Sequence, residues 1–396
     1  MPKQTVQDVD VRGLRVLVRV DFNVPMEDGR ISDDNRIRAA LPTINYLRKR
    51  DARVILCSHL GRPNGKVDEG SRLEPIAVGL EAVLDAPVNY VTECVGIEVE
   101  AAVAAMEPGE VLLLENLRFH PGEEKNDPEF AQQLARLADL YVNDAFGTAH
   151  RAHASTAGVA DYLPAVSGFL MEREITMLGS VLENPRRPLA AVMGGAKVSD
   201  KIAVLETLLD SVDVLVIGGG MAATFIKAMG HGVGDSLLEE ERVDFARETI
   251  ERCGKQGVKL VLPPDLVVAD AFSADAATLV VAAEAIPDGW RIMDVGPSAV
   301  WEFTEALRPC GTVLWNGPMG VFEWQAFSHG TRAVGQAVAS LENAVTIVGG
   351  GSTAEAVGEL GLAEDMTHVS TGGGASLEFF EGKVLPGVAA LRDKEA

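Results

Sequence analysis

Cysteine is scarce and scattered in this chain: four residues in 396, Cys57, Cys94, Cys253 and Cys310, with no C-x-x-C pair. Such spacing excludes a disulfide framework and a thiolate zinc site and reads as reduced thiols. Positive charge is also in short supply. Thirty-five Lys and Arg stand against 58 Asp and Glu, a formal net charge of −23. A nucleic-acid binder needs a basic footprint, so that class is excluded. Small anionic ligands are not excluded, but their cations must be concentrated in one cleft where the local field differs in sign from the global one. No apolar run reaches the roughly 18 residues of a membrane span, so no membrane partner is expected. The opening MPKQTVQDVD holds no apolar h-region; no secretory signal, and hence a cytoplasmic location, is expected. Two phosphate-binding patterns are missing as well, G-x-x-x-x-G-K-[ST] and G-x-G-x-x-G. Their absence excludes by motif a P-loop NTPase and a standard dinucleotide enzyme.

What is present is a long alternation of apolar strands and helical stretches. Hydrophobic residues make up 47% of the chain, ample for sizeable cores, and a prior of about 150 residues per domain suggests two or three domains. In the first half, Arg15 to Asp21, Val54 to Ser58, Val111 to Glu115 and Leu140 to Asn143 read as strands, with helices between them such as Pro128 to Leu137. A further helix, capped by Asp33 or Asp34, carries the apolar stripe Ile37, Leu41, Ile44 and Leu47; Pro42 within it is a local conflict. Each strand ends in a polar turn with an Arg in it or soon after it: Arg36, Arg62, Arg118 and Arg151. Ligands of open α/β sheets bind outside the carboxyl ends of the strands, and Arg forks grip carboxylate and phosphate. With His59 and one of His150 or His153, these predict a basic pocket for a small polyanion. His150 and His153 have ligand-like spacing for a metal, but no third ligand is nearby.

The second half is organised around Leu189 to Lys201, LAAVMGGAKVSDK. A short strand breaks at Gly194-Gly195, and a helix is expected over Lys197 to Leu209, which would put Lys197 and Lys201 on one face beside a free helix N-terminus. The strand-then-glycine unit recurs. Val212 to Ile217 leads into Gly218 to Gly220, Thr312 to Trp315 into Asn316-Gly317-Pro318, Val345 to Val348 into Gly349 to Thr353, and Thr367 to Ser370 into Thr371 to Gly374. A tight turn needs one positive-φ glycine, not three, so these ends predict a ligand lying against bare backbone. Met171 to Leu182 reads as a connecting helix. The expected fold class is α/β, two doubly wound, Rossmann-like parallel-sheet domains joined by a hinge helix.

The motifs RVDFNVP, SHLGRP, LLENLRFHPGEEKND, YVNDAFGTAHRAH, GGAKVSDK, GGGMA, WNGPMGVFE, GGGST and STGGGASLEFFEGKVLPGV together resemble the phosphoglycerate kinase family, in order and over nearly the whole chain. The resemblance implies reversible transfer of the acyl phosphate of 1,3-bisphosphoglycerate to ADP, giving 3-phosphoglycerate and ATP with Mg²⁺, by a cytoplasmic monomer with no nucleic-acid or membrane partner. It implies a glycerate-binding domain over 1–170, a connecting hinge helix over 171–185, a nucleotide-binding domain over 186–381, and a terminal segment 382–396 that packs back on the first domain. Asp21, Asn23, Arg36, His59, Gly61, Arg62, Arg118 and Arg151 would hold the glycerate ligand. Arg36, Lys197, Gly350 and Gly373 would act on the transferring phosphoryl group. Gly195, Lys197, Lys201, Gly219, Gly220, Asn316, Pro318, Glu323, Gly349, Gly350, Gly351, Ser352 and Thr353 would line the nucleotide, with Glu323 on the ribose. Substrates in separate domains would require closure, with Ser370-Thr371 and the connecting helix as the expected hinge. Ser352 stands where the family has Asp, so the resemblance implies a weaker or water-mediated Mg²⁺ contact there. The competing reading is a non-catalytic, hinged, two-domain polyanion-binding protein, which leaves the glycine-rich second site unexplained.

Overall fold

The computed structural model describes residues 2–394. It falls into two compact units, residues 1–176 with 384–396, and 177–383; of the C-terminal segment, Glu395 and Ala396 lie outside the described residues. The first unit is built on a six-stranded parallel sheet. Its strands in chain order are β1 (Arg15–Arg19), β2 (Arg53–Cys57), β3 (Val88–Tyr90), β4 (Val111–Leu113), β5 (Leu140–Asn143) and β6 (Ala165–Ser167), arranged β3-β4-β2-β1-β5-β6. Helices cover both faces of such a sheet, so its strands lose the alternation of a half-exposed sheet. Val16, Leu17 and Val18 are accordingly all fully buried. The short strands β3 and β6 are three residues each and, unlike the equally short β4 in its apolar run Val111–Leu114, lack a long apolar run that would mark them.

The second unit repeats the plan with β7 (Leu189–Met193), β8 (Val214–Ile217), β9 (Lys259–Val261), β10 (Thr312–Asn316), β11 (Val345–Gly349) and β12 (His368–Val369), arranged β9-β8-β7-β10-β11-β12. Strand order therefore reverses between β7 and β10, and in the first sheet between β1 and β5. Ligands of open α/β sheets gather at such switch points. A small antiparallel sheet, Asp265–Ala269, Thr278–Ala282 and Arg291–Val295, is added to the second unit.

Local structure differs from expectation in three places that matter. The helix Asn35–Arg48 runs straight through Pro42, with Ile37, Ala40, Thr43, Ile44 and Leu47 buried. Packing of that face outweighs the one backbone bond the ring removes. The helix expected from Lys197 begins only at Ile202, after a 3₁₀ turn at Ser199–Lys201. Lys197 and Lys201 are thus not neighbours on one helix face: Lys201 is buried and Lys197 exposed. Finally, Ser370 is buried, and its N–H donates to Val348 O at 2.8 Å, which places it inside the second unit. The chain passes from one unit to the other within the helix Phe169–Glu183 and again at Lys383–Val384. Gly387 N–H donates to Ala149 O at 2.8 Å and Asn143 Nδ2 to Gly387 O at 3.2 Å, so the returning segment is bonded into the first unit.

Candidate active site

In the first unit the strand ends supply side chains. The turn after β1 carries Asp21 and Asn23. Arg36, in the first turn of Asn35–Arg48, donates through Nη1 to Asp21 Oδ2 at 3.2 Å and to Asn23 O at 3.1 Å. The other first-turn cation, Arg38, is neutralised by Asp34 at 2.8 Å, which leaves Arg36 as the one aimed at the strand ends. Gly61 N–H, after β2, donates to Asn23 Oδ1 at 2.8 Å, and Arg118 Nη1, after β4, donates to Gly61 O at 2.7 Å. Arg118 Nε lies 3.3 Å from Glu124 but makes no hydrogen bond. Asp21, Asn23, Arg36, Gly61 and Arg118 are thus one bonded cluster. His59 and Arg151 join it electrostatically. Burial holds His59 well below its ordinary value, helped by the charges of Arg19, Arg118, Arg36 and Arg151, so its 3.9 Å approach to Asp21 is no ion pair. Arg62 is exposed beside this cluster without a bond to it. Arg151 Nε donates to His150 Nε2 at 3.1 Å. His153 is pushed down to about 4 by burial first and Arg118 next. No group of three metal-ligating side chains exists among the described residues.

Beneath the cluster lies a layer that periodicity hid. Arg19, 1% exposed, sits in the run RVLVRVD. Its Nε donates to Ser155 Oγ at 2.9 Å, its Nη2 faces His59 Nδ1 at 3.1 Å, and Nη1 donates to Val20 O. Ser155 Oγ in turn donates to the buried Glu123 at 2.6 Å. Arginine has no acceptor, so His59 Nδ1 accepts and the ring proton stands on Nε2. The signal available in the sequence was the anomaly itself, a cation inside a strand whose neighbours are all core.

In the second unit the strand ends supply backbone. The glycines divide into two kinds. A Cβ on Gly194 would lie 2.3 Å from Pro318 O, one on Gly219 2.6 Å from Gly195 N, and one on Gly317 2.2 Å from Gly194 O. These loops are glycine because they pack on one another, which corrects the expectation that every triple glycine faces a ligand. By contrast a Cβ on Gly351 or Gly373 would meet nothing within 4 Å. A Cβ on Gly350, at φ +88°, would lie 3.0 Å from Asn316 Nδ2. Both Gly350 and Gly373 precede helices, Gly351–Glu359 and Gly374–Phe380, whose first turns have no side-chain cap. Gly349 ends β11, and Gly220 and Pro318 belong to the loops that follow β8 and β10.

Lys201 Nζ donates to Asn316 Oδ1, and burial pulls its ammonium down to about 8. Asn316 Nδ2 is buried without a partner. Thr353, fully buried, accepts Gly317 N–H through its hydroxyl at 2.7 Å and so braces the loop. Ser352 and Glu323 are exposed, and neither is bonded into the Lys201–Asn316 group.

Two switch points, one lined by arginines and one by open glycine backbone with a buried lysine, define a two-domain α/β phosphotransferase. The sequence profile described as Phosphoglycerate kinase matches residues 6–383. Curated relatives named phosphoglycerate kinase are 61% identical over 394 residues in Moorella thermoacetica and 58% over 395 in Herpetosiphon aurantiacus, each covering 100% of both chains. Among solved structures, phosphoglycerate kinase from Coxiella burnetii has a TM-score of 0.90 at 45% identity, covering 98% of each chain. That from Pyrococcus horikoshii has a TM-score of 0.84 at 33% identity, covering 99% of this chain and 98% of that one. The chain belongs to the phosphoglycerate kinase family.

Proposed function

We propose that this chain transfers the acyl phosphate of 1,3-bisphosphoglycerate to ADP, reversibly, giving 3-phosphoglycerate and ATP, and that the strand-end groups divide the work between them. The observation that carries the reading is the pairing of an arginine-lined switch point in one sheet with a glycine-lined one in the other. Residues 1–170 take the glycerate ligand, with Arg62, Arg118, Arg151 and His59 Nε2–H donating to its phosphate and Asp21 and Asn23 orienting it. Residues 186–381 take the nucleotide, with Lys201 on its phosphates, the open turns at Gly350–Ser352 and Gly373 beneath them, and Glu323 on the ribose. Arg36 and Lys197 neutralise the group in transit. No general base is needed, because the attacking oxygen is already anionic in either direction; catalysis is positioning and charge neutralisation. The ligands belong to different units, so transfer requires closure, with the helix over 171–185 as hinge.

Beside the lysines, the groups at the phosphate end are peptide N–H and hydroxyl, and no group of three metal-ligating side chains stands among the described residues. Such a set fits Mg²⁺ carried on the nucleotide's own phosphates, with the Ser352 hydroxyl and its waters as the chain's contribution. The divalent ion supplies charge neutralisation of the phosphates. The four free cysteines fit a reducing, cytoplasmic compartment, and among the described residues no helix is long and apolar enough to cross a membrane.

The test is phosphoryl transfer from MgATP to 3-phosphoglycerate in the intact protein and in Arg36→Ala and Lys197→Ala. Each variant should lose about 10²–10³-fold in kcat. Full turnover in either removes that residue from the reaction.

A further inference from the structure

Lys197 sits in a span whose ends are fastened and whose middle is not. At one end Gly195 N–H donates to Pro318 O at 2.8 Å, and Gly195 O accepts Met221 N–H at 3.0 Å. At the other end Lys201 is tied to Asn316. Between them Ala196 and Lys197 are exposed, and Val198 is buried. Lys201 N–H also donates to Val198 O at 2.9 Å, and the hold on Ser199 comes from a residue distant in sequence. Glu239, in the turn ahead of the helix Val243–Gln256, accepts Ser199 N–H through Oε2 at 3.0 Å and Ser199 Oγ–H through Oε1 at 2.5 Å. Burial pushes its carboxyl up, but the bonds from Ser199 and from the Val198 backbone, with the charge of Lys197, outweigh that and leave it below its ordinary value. The N–H groups at the head of this turn, where a ligand anion would otherwise find donors, are thus taken by the chain's own carboxylate. A phosphate arriving here meets lysine side chains instead.

We infer that Glu239 is a positioning residue for Lys197: its two-point grip on Ser199 fixes the backbone from which the exposed lysine reaches the transferring phosphoryl group, and the inference rests on the role proposed above for that lysine. The grip acts through geometry, so its loss costs the chemical step more than binding. Ser199 is part of the device, because its hydroxyl supplies one of the two bonds and its N–H the other.

The experiment is a double-mutant cycle on the full chain, with Glu239→Ala, Lys197→Ala and both, read as kcat, KM for each substrate and melting temperature. Glu239→Ala should lower kcat about tenfold while KM for 3-phosphoglycerate stays within about twofold. In the Lys197→Ala background the same change should have no further effect on kcat, which a merely structural role would not produce. Glu239→Gln, which keeps one oxygen for Ser199, should recover most of the rate. Equal losses from Glu239→Ala in both backgrounds overturn the inference, as does full kcat in Glu239→Ala beside a loss in Lys197→Ala. Full kcat in Lys197→Ala overturns the role of the lysine itself and takes this inference with it. Should Glu239→Ala melt below the assay temperature, the cycle is run with Ser199→Ala, which deletes only the side-chain bond and carries the same expectations.

Discussion

The two sheets share a plan, and on the reading proposed above they meet their anions with different materials. The first would use cationic side chains, most of them held from below, with Arg62 exposed. Arg36 leans on Asp21 and Asn23; Arg19 is anchored through Ser155 to Glu123. The second uses peptide N–H groups, which carry no net charge and need no counter-ion, but which a ligand reaches only where Cβ atoms are missing. A short, compact acid with one phosphate suits arginine forks; a longer polyphosphate suits a bare ledge with one or two lysines. The comparison teaches that an acidic chain can build anion sites either by concentrating rare cations or by exposing peptide N–H groups beside only one or two of them. It also separates glycines whose Cβ would stand in open space from glycines that meet each other, and that division is the easiest part to break.

Gly317, at φ +102°, has backbone 2.2 Å from where a Cβ would stand, whereas Gly351 has nothing within 4 Å. Gly317→Ala combines left-handed strain with a clash against Gly194 that neither backbone can relieve. It should cost about 3 kcal/mol or more of stability. Gly351→Ala places a methyl in open space at the start of a helix, where Ala is the better helix former by about 0.5–1 kcal/mol. Its stability should hold or rise, and nucleotide affinity should fall as the methyl covers the ledge. Denaturant midpoints and nucleotide titrations read both. Equal midpoints for the two variants would erase the distinction.

Much of this was legible in the sequence. Strand cores such as Leu140–Asn143 stand where the apolar runs put them, because buried parallel strands read as continuous hydrophobic segments. The Arg after each strand was legible because cations in polar turns stand out from an apolar chain. Three things were not. Glu239 approaches Ser199 from a distant turn, and no local pattern encodes such a pairing. Arg19 hid inside a strand, RVLVRVD, that is recognised by its apolar residues alone. The two kinds of glycine look identical as letters; whether a Cβ would meet a ligand or a neighbouring loop depends on tertiary packing alone.

The comparison extends to pH. Burial brings Lys201 down to about 8, so the nucleotide site should lose its buried charge as pH rises through that value. Affinity for metal-free ADP should be steady below about pH 7 and fall by up to tenfold per unit above about 8, the limit for one linked proton. Lys201→Arg should flatten the profile. The glycerate site should be flat over the same range, because His59 and His153 are already neutral there and arginine does not titrate. The sign for stability follows from the same group. A lysine whose folded value lies below its unfolded one costs stability fully below about pH 8, and the cost is relieved as pH rises towards the unfolded value near 10.4. Calorimetric titration across pH 6.5–9.5 with each ligand separately checks both halves; parallel profiles at the two sites would contradict the assignment of Lys201.

The smallest effect is expected at Ser352. It is exposed in the first turn of Gly351–Glu359, and the cap Gly350 offers that turn no side-chain acceptor. Ser352→Asp puts a hard oxygen and a negative charge at a helix N-terminus, where the dipole alone favours it by about 0.3–1 kcal/mol. The same charge repels bare phosphates. The variant should therefore bind MgADP a fewfold tighter and ADP with chelator a fewfold weaker, leaving KM for 3-phosphoglycerate unchanged. Tighter binding of both nucleotide forms would show that the carboxylate acts on the helix and not on the metal; weaker binding of both would show that the serine already serves the ledge better than the charged residue can.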